Sequence, residues 1–198
     1  MHVELKAQLE DVLNGIEFSD DLNKTIEQCI KRAFKITDDN YEKLYAKEAK
    51  QCGSTAVIAL FVGNKLFVAN VGDARAIMSR SGKALDLSVD HKAKRPDEQH
   101  RIKSQGGYIV YGRVLGRLAI SRAFGDFDCK NIEMTINEDN SQVPGSGQEG
   151  QKVIRNFIMS EPEIRVVDID PTSDDFLLLA SDGLFDRFSS QECVKITR

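Results

Sequence analysis

Between Gly53 and Gly82 the chain alternates short, almost continuous apolar runs with glycine-marked turns, and no other feature narrows the choice of fold so far. Residues 54–62 are rich in β-branched and apolar side chains, Gly63-Asn64 is a two-residue turn signal, and residues 66–71 form a second run. Gly72-Asp73 separates it from a third run, residues 74–79, which closes at Ser81-Gly82. A sheet with one wet face shows alternating polar residues. Strands that are apolar in both directions predict a sheet covered on both sides.

The first fifty residues carry the helical period instead. Leu5, Leu9, Val12 and Leu13 share one face, with Gly15 placed as a C-terminal cap. Ser19 is placed to cap a second helix carrying Leu22, Ile26, Cys29, Ile30 and Ala33, and Tyr41, Leu44 and Tyr45 continue the stripe. Pro96 opens a short helix that ends at Gly106-Gly107. Residues 108–111 and 164–169 read as strands and residues 176–180 as a buried one, while Ser189 and Glu192 form a capping box for a last helix. Residues 131–151 are polar, contain Pro144 and three glycines, and read as a long loop. Gly145-Ser146-Gly147-Gln148-Glu149-Gly150 matches a dinucleotide fingerprint in letters only, because polar residues precede it where a strand is required.

Composition bounds the function classes. In 198 residues, 27 basic and 31 acidic side chains give a net charge of −4, and 41% of residues are hydrophobic, as in a single globular domain. That charge offers no clustered basic face for nucleic acid. No apolar stretch reaches the roughly 18 residues that cross a membrane, and Met1-His2-Val3-Glu4-Leu5-Lys6 mixes charges too closely for a signal peptide. Cys29, Cys52, Cys129 and Cys193 form no Cys-x-x-Cys pair. They read as reduced thiols, and the expected location is intracellular, cytoplasmic or nuclear.

The chemistry-bearing residues are carboxylates. His2, His91 and His100 make no zinc spacing, no Gly-x-Ser-x-Gly elbow exists, and each histidine reads as structural or exposed. Asp182 follows an apolar strand in Ser181-Asp182-Gly183, and Asp73 follows another after Gly72. A glycine beside each lets an ion approach the backbone. Brought together by a sheet, the two would offer hard oxygens suited to Mg²⁺ or Mn²⁺. Taken singly, either could be a turn residue bonding its own backbone. Asp168, Asp170, Asp174 and Asp175 lack the glycine and distal glutamate of a calcium loop and read as a solvated turn.

Six segments then occur in one order: Cys52-Gly53-Ser54-Thr55-Ala56, Asn70-Val71-Gly72-Asp73-Ala74-Arg75, Val89-Asp90-His91-Lys92, residues 118–126 from Leu118 to Asp126, Glu161-Pro162-Glu163, and Ala180-Ser181-Asp182-Gly183-Leu184-Phe185-Asp186. Together they resemble the metal-dependent protein phosphatase 2C family of serine/threonine phosphatases, over nearly all of the chain from Gly53 onward. The resemblance implies an α+β fold, two antiparallel β-sheets packed as a sandwich flanked by helices in four αββα layers. It implies one domain over residues 1–198, with a helical layer at 1–50 and the sandwich core at 53–198. It also implies a Mg²⁺ or Mn²⁺ centre at the sheet edge, where a water held by the metals hydrolyses phosphoserine or phosphothreonine on a protein substrate without a phosphoenzyme. By similarity Asp182 is a metal ligand and Asp73 helps hold a weaker metal. Gly183 gives a tight strand exit, Thr55 orients the strand near the metals, and Arg75, Asp90, Arg122 and Asp126 are supporting residues.

The family's Asp-Gly-His-Gly-Gly segment, its phosphate-gripping arginine and its C-terminal Asp-Asn segment are not in this sequence. The fold is therefore expected to be incomplete at both ends, with no catalytic residue of its own to name and with exposed sheet edges open to self-association. Two expectations stand side by side. One is a phosphatase impaired in this chain; the other is a non-catalytic module that keeps the fold and binds a phosphorylated or kinase partner.

Overall fold

In the computed structural model, which describes residues 6, 7, 9–11, 14, 21–136 and 151–198, the apolar runs become strands of two antiparallel sheets. β2 (Ala56–Val62) and β3 (Lys65–Val71) form a hairpin around Gly63, whose φ of +60° suits a residue without Cβ, and β11 (Glu163–Asp168) pairs on the other side of β3. The second sheet has β4 (Arg75–Arg80) at its centre, between β5 (Lys83–Asp86) and β12 (Asp174–Ala180). The chain crosses from one sheet to the other at Gly72-Asp73-Ala74. Three short pairs complete the β structure: β1 (Gly53–Ser54) with β8 (Phe124–Gly125), β6 (Ile109–Val110) with β7 (Arg113–Val114), and β9 (Ile132–Ile136) with β10 (Gln151–Arg155).

Side-chain alternation assigns the layers. On β3, Phe67, Ala69 and Val71 pack against Ile26, Ile30, Ala33 and Phe34 of α1 (Leu22–Leu44). Leu66 and Val68 point the other way and meet Ala76 and Met78 of β4, which makes the inter-sheet core. Ile77 of β4 faces outward onto Cys193 and Val194 of α5 (Ser190–Thr197) and Phe185 of α4 (Asp182–Phe185). The order is helix, sheet, sheet, helix. β3 and β4 are apolar on both faces because each face has a cover.

Several expectations need correction. Asp21 caps α1 by accepting from the Lys24 N–H; Ser19, with Leu5, Val12, Leu13 and Gly15 of the first stripe, lies outside the described residues, while Leu9 packs against the α1 core. Residues 176–180 are not buried throughout: β12 is the edge of its sheet and Leu179 is exposed. A terminal β position leaves one side without a neighbour, which the apolar run alone does not reveal. The segment read as a loop over 131–151 starts in β9 and ends in β10; the glycine-rich 145–150 lies outside the described residues. α2 (Glu48–Gln51) adds one turn after α1. α3 (Pro96–Ser104) starts and stops as expected, because Gly107 and Gly106 donate back to the carbonyls of Ile102 and Lys103. The capping box of Ser189 and Glu192 is present.

Candidate functional site

The β4–β12 ladder ends on the pair Arg75–Ala180. Asp73 stands two residues before the one and Asp182 two residues after the other, so an antiparallel register carries both to the same end of the sheet. This is the juxtaposition expected from the sequence. Asp73 is 9% exposed, whereas Asp182 opens α4 at the surface, with Ser181 as its N-cap.

The turn that presents Asp73 is clamped from three sides. Gly72 has φ +96°, and a Cβ there would lie 2.3 Å from Cγ2 of Thr55, so only glycine fits. Thr55 therefore packs on this turn. The Gly72 N–H donates to Nδ1 of His91 at 3.2 Å; the Gly72 carbonyl accepts the His91 N–H at 2.9 Å and the Asn70 amide at 3.1 Å. His91 is fully buried. Burial, then the nearby Arg122, depress its pKa to about 4, against the pull of Glu163. The neutral ring accepts at Nδ1 and turns its Nε2 toward Glu163 Oε2 at 3.4 Å.

Below this turn lies a charge network that the sequence did not disclose. Glu98, 2% exposed, accepts from Arg101 at 2.9 Å and from Arg122 at 2.7 Å, while Arg95 pairs with Glu163 and Asp97. Burial pushes the Glu98 pKa up, but hydrogen bonds from Arg122, Arg101 and Ser121 outweigh it and hold it at about 2. Arg75 and Asp90, expected as supporting residues, form a two-point ion pair at 2.9 Å, and the Arg75 guanidinium lies 4.7 Å from the Phe185 ring centre. β4 is thereby tied to the helix that carries Asp182.

Gly183 departs from its expected role. Gly183 sits inside α4, where a Cβ would meet nothing closer than 3.7 Å, so it does not enforce a tight exit. Asp126 stands at the β1–β8 corner with φ +53°, donates its N–H to the Cys52 carbonyl, and packs against Gly53; burial raises its pKa. It is a corner residue of the sandwich. Lys92, the last residue of the Val89–Lys92 motif, has its Nζ 2.5 Å from Asp73 Oδ2. Beside the aspartates a cavity of about 450 Å³ opens between β2 and the end of β12, lined chiefly by Thr55, Ala56, Ile58, Ala74, Leu179 and Ser181.

Two carboxylates with water are a fitting donor set for one hard divalent ion, since Mg²⁺ commonly keeps several waters and takes only one or two protein carboxylates. They do not suffice for two adjacent ions, whose mutual repulsion needs more anionic ligands. Among the described residues no group of three or more His, Cys, Asp or Glu could hold a metal.

Comparison with known proteins agrees with this fold. The family model described as "Protein phosphatase 2C" matches residues 5–198. "Probable protein phosphatase 2C 45" of Oryza sativa subsp. japonica is 41% identical over 173 residues, 86% of this chain and 52% of that protein. "Probable protein phosphatase 2C 11" of Arabidopsis thaliana is 38% identical over 182 residues, 90% of this chain and 42% of that protein. The chain thus spans about half the length of these curated relatives. Among solved structures, that of a C. elegans sex determining protein superposes with a TM-score of 0.73 at 25% identity, over 97% of this chain and 41% of that one. The serine-threonine phosphatase 2C from Toxoplasma gondii gives 0.71 at 22% identity over 98% and 65%, a likeness of fold. With the ordered motifs, the αββα layers and the matched family model in agreement, the chain belongs to the protein phosphatase 2C family.

Proposed function

We propose that this chain carries part of a metal-dependent serine/threonine protein phosphatase, which hydrolyses phosphoserine and phosphothreonine by a metal-activated water. The observation that carries this reading is the β4–β12 register, which takes Asp73 and Asp182 to one rim. A bound Mg²⁺ or Mn²⁺ supplies Lewis acidity toward the phosphoryl oxygens and lowers the pKa of the attacking water. Asp182 would hold such an ion, and Asp73 would help it hold a more weakly bound one. His91, Asn70 and Thr55 keep the Gly72 peptide, and with it the Asp73 backbone, in one position. The Arg75–Asp90 pair does the same for the α4 side of the rim.

The donor count among the described residues supports impaired activity of these 198 residues by themselves. With Mn²⁺ and either p-nitrophenyl phosphate or a phosphothreonine peptide, turnover close to the buffer background is expected, and Asp182→Ala removes what remains. Robust turnover abolished by Asp182→Ala would refute the impairment; turnover that survives Asp182→Ala would refute the metal role. A second reading, a non-catalytic module that binds a phosphorylated or kinase partner, is favoured by the ion pair between Lys92 and Asp73, which neutralises the rim without a metal.

Partners follow from the same surfaces. A phosphorylated protein is the substrate class, and no described helix is long and apolar enough to cross a membrane. The outer edges of β2 and β12 are unpaired among the described residues, which supports self-association through them. All four cysteines are free thiols, three of them buried, in keeping with a reducing, intracellular location.

A further inference from the structure

The Asp73 carboxylate already has a cation beside it. Lys92 reaches it at 2.5 Å, with the aspartate side chain 13% exposed and the lysine side chain 38% exposed. The pairing is built into the backbone on both sides. Lys92 follows His91, which holds the Gly72 peptide, and Lys92 itself bridges to Ile120. Burial works against the ammonium charge, but the hydrogen bond to Asp73 and the fields of Asp73, Asp186 and Asp90 outweigh it and raise the lysine pKa above its ordinary value. A lysine is ordinarily charged at neutral pH, and here the ammonium is in contact with a carboxylate. Asp186 is the second carboxylate it faces from the α4 side, and Asp90 the one from its own segment.

We infer that Lys92 is a tethered competitor for the divalent cation at Asp73: its ammonium neutralises the carboxylate in the metal-free chain, and an ion uses Asp73 only by displacing it. The inference rests on the reading of Asp73 as a metal ligand. The physical reason for competition is that a tethered cation has a high effective concentration and loses no translational freedom on pairing. A dissolved ion must meet both costs and must also approach a like charge. Lys92 thus sets how much Mg²⁺ or Mn²⁺ the Asp73 side of the rim requires.

The test measures binding, with no turnover involved. Free Mn²⁺ is followed by its electron paramagnetic resonance signal as wild-type chain, Lys92→Met and Lys92→Arg are titrated in. Methionine keeps the apolar stem and removes the charge; Lys92→Gln serves as the second neutral variant if Lys92→Met folds poorly by circular dichroism. The expected result is roughly tenfold tighter Mn²⁺ binding in the neutral variants, unchanged affinity in Lys92→Arg, and loss of the gain when Asp73→Asn is added. Equal affinity in wild type and neutral variants, still dependent on Asp73, overturns the competition and leaves the metal role of Asp73 standing. A gain that survives Asp73→Asn overturns it as well, because the lysine then acts as a distant field. No Mn²⁺ uptake by any variant overturns the competition together with the metal role.

Discussion

Replacing Glu98 by glutamine removes one charge, at nearly constant shape, from the centre of three arginines. Glu98 is 2% exposed and takes its shortest hydrogen bonds from Arg122 at 2.7 Å and Arg101 at 2.9 Å, with Arg95 at 3.7 Å. Its pKa of about 2 in the fold, against 4.5 for a free glutamate, means that the folded state holds the ionised form more tightly. A separation of about 2.5 pH units, at about 1.36 kcal/mol per unit, is about 3 kcal/mol of stability at neutral pH. Because the folded pKa is depressed, this contribution is complete above pH 4.5 and drains away as pH falls toward 2; about 2 kcal/mol of it is gone by pH 3. Breaking a buried pair costs roughly 3–5 kcal/mol, of the same order. Urea unfolding followed by circular dichroism at pH 7, 5 and 3 measures both effects. Glu98→Gln should be less stable at pH 7 by about 3 kcal/mol, and the gap to wild type should shrink by about 2 kcal/mol at pH 3. Other acids titrate over the same range, but they do so in both proteins and cancel in the difference. A gap that stays constant with pH would refute the assignment of Glu98 as an ionised, arginine-held carboxylate.

Gly72→Ala places a Cβ 2.3 Å from Thr55 Cγ2 at φ +96°, so unfolding should lose about 2 kcal/mol or more; Thr55→Gly in the same chain should return part of it, and a loss below about 0.5 kcal/mol would contradict the clamp. Asp38 accepts from Lys130 at 2.6 Å and from the Gly125 N–H at 2.8 Å, both buried. Asp38→Ala leaves that ammonium without its carboxylate, with the Ala123 carbonyl at 2.8 Å still accepting from it, and should cost roughly 3–5 kcal/mol in urea midpoint analysis, whereas a neutral result would mean that water reaches Lys130. Phe61 is 58% exposed on the uncharged edge strand β2. Phe61→Lys should lower the self-association seen by sedimentation velocity at rising concentration, and wild-type chain that remains monomeric throughout contradicts edge pairing.

The strands around Gly63 and Gly72, the proline start and glycine stop of α3, and the capping box of α5 were legible because each rests on contacts between near neighbours. The placement of Asp73 and Asp182 at one end of a sheet was raised by their strand-end positions and given weight by the family resemblance, since the 108 positions between them carry no period that brings them together. Three things stayed hidden. Nothing along residues 176–180 distinguishes an edge strand from a central one, because the pairing partner on each side is chosen by the rest of the sheet. Gly183 carried a turn expectation that its helical conformation does not need. Glu98 gave no local signal either, and Lys92 and Glu163 were marked only by the motifs that contain them, since a charged residue reads as solvated until remote arginines or aspartates enclose it.

What the sequence by itself determined is the set of elements and their faces: which runs are strands, and which strands must be covered on both sides. Hydrophobic period and local hydrogen bonding depend on residues a few positions apart, so one chain read alone contains them. The tertiary structure alone decided which carboxylates are enclosed and which cation each one meets, Lys92 at Asp73 and three arginines around Glu98. A charge is costly or useful according to the groups that surround it, and those groups come from distant stretches of the chain.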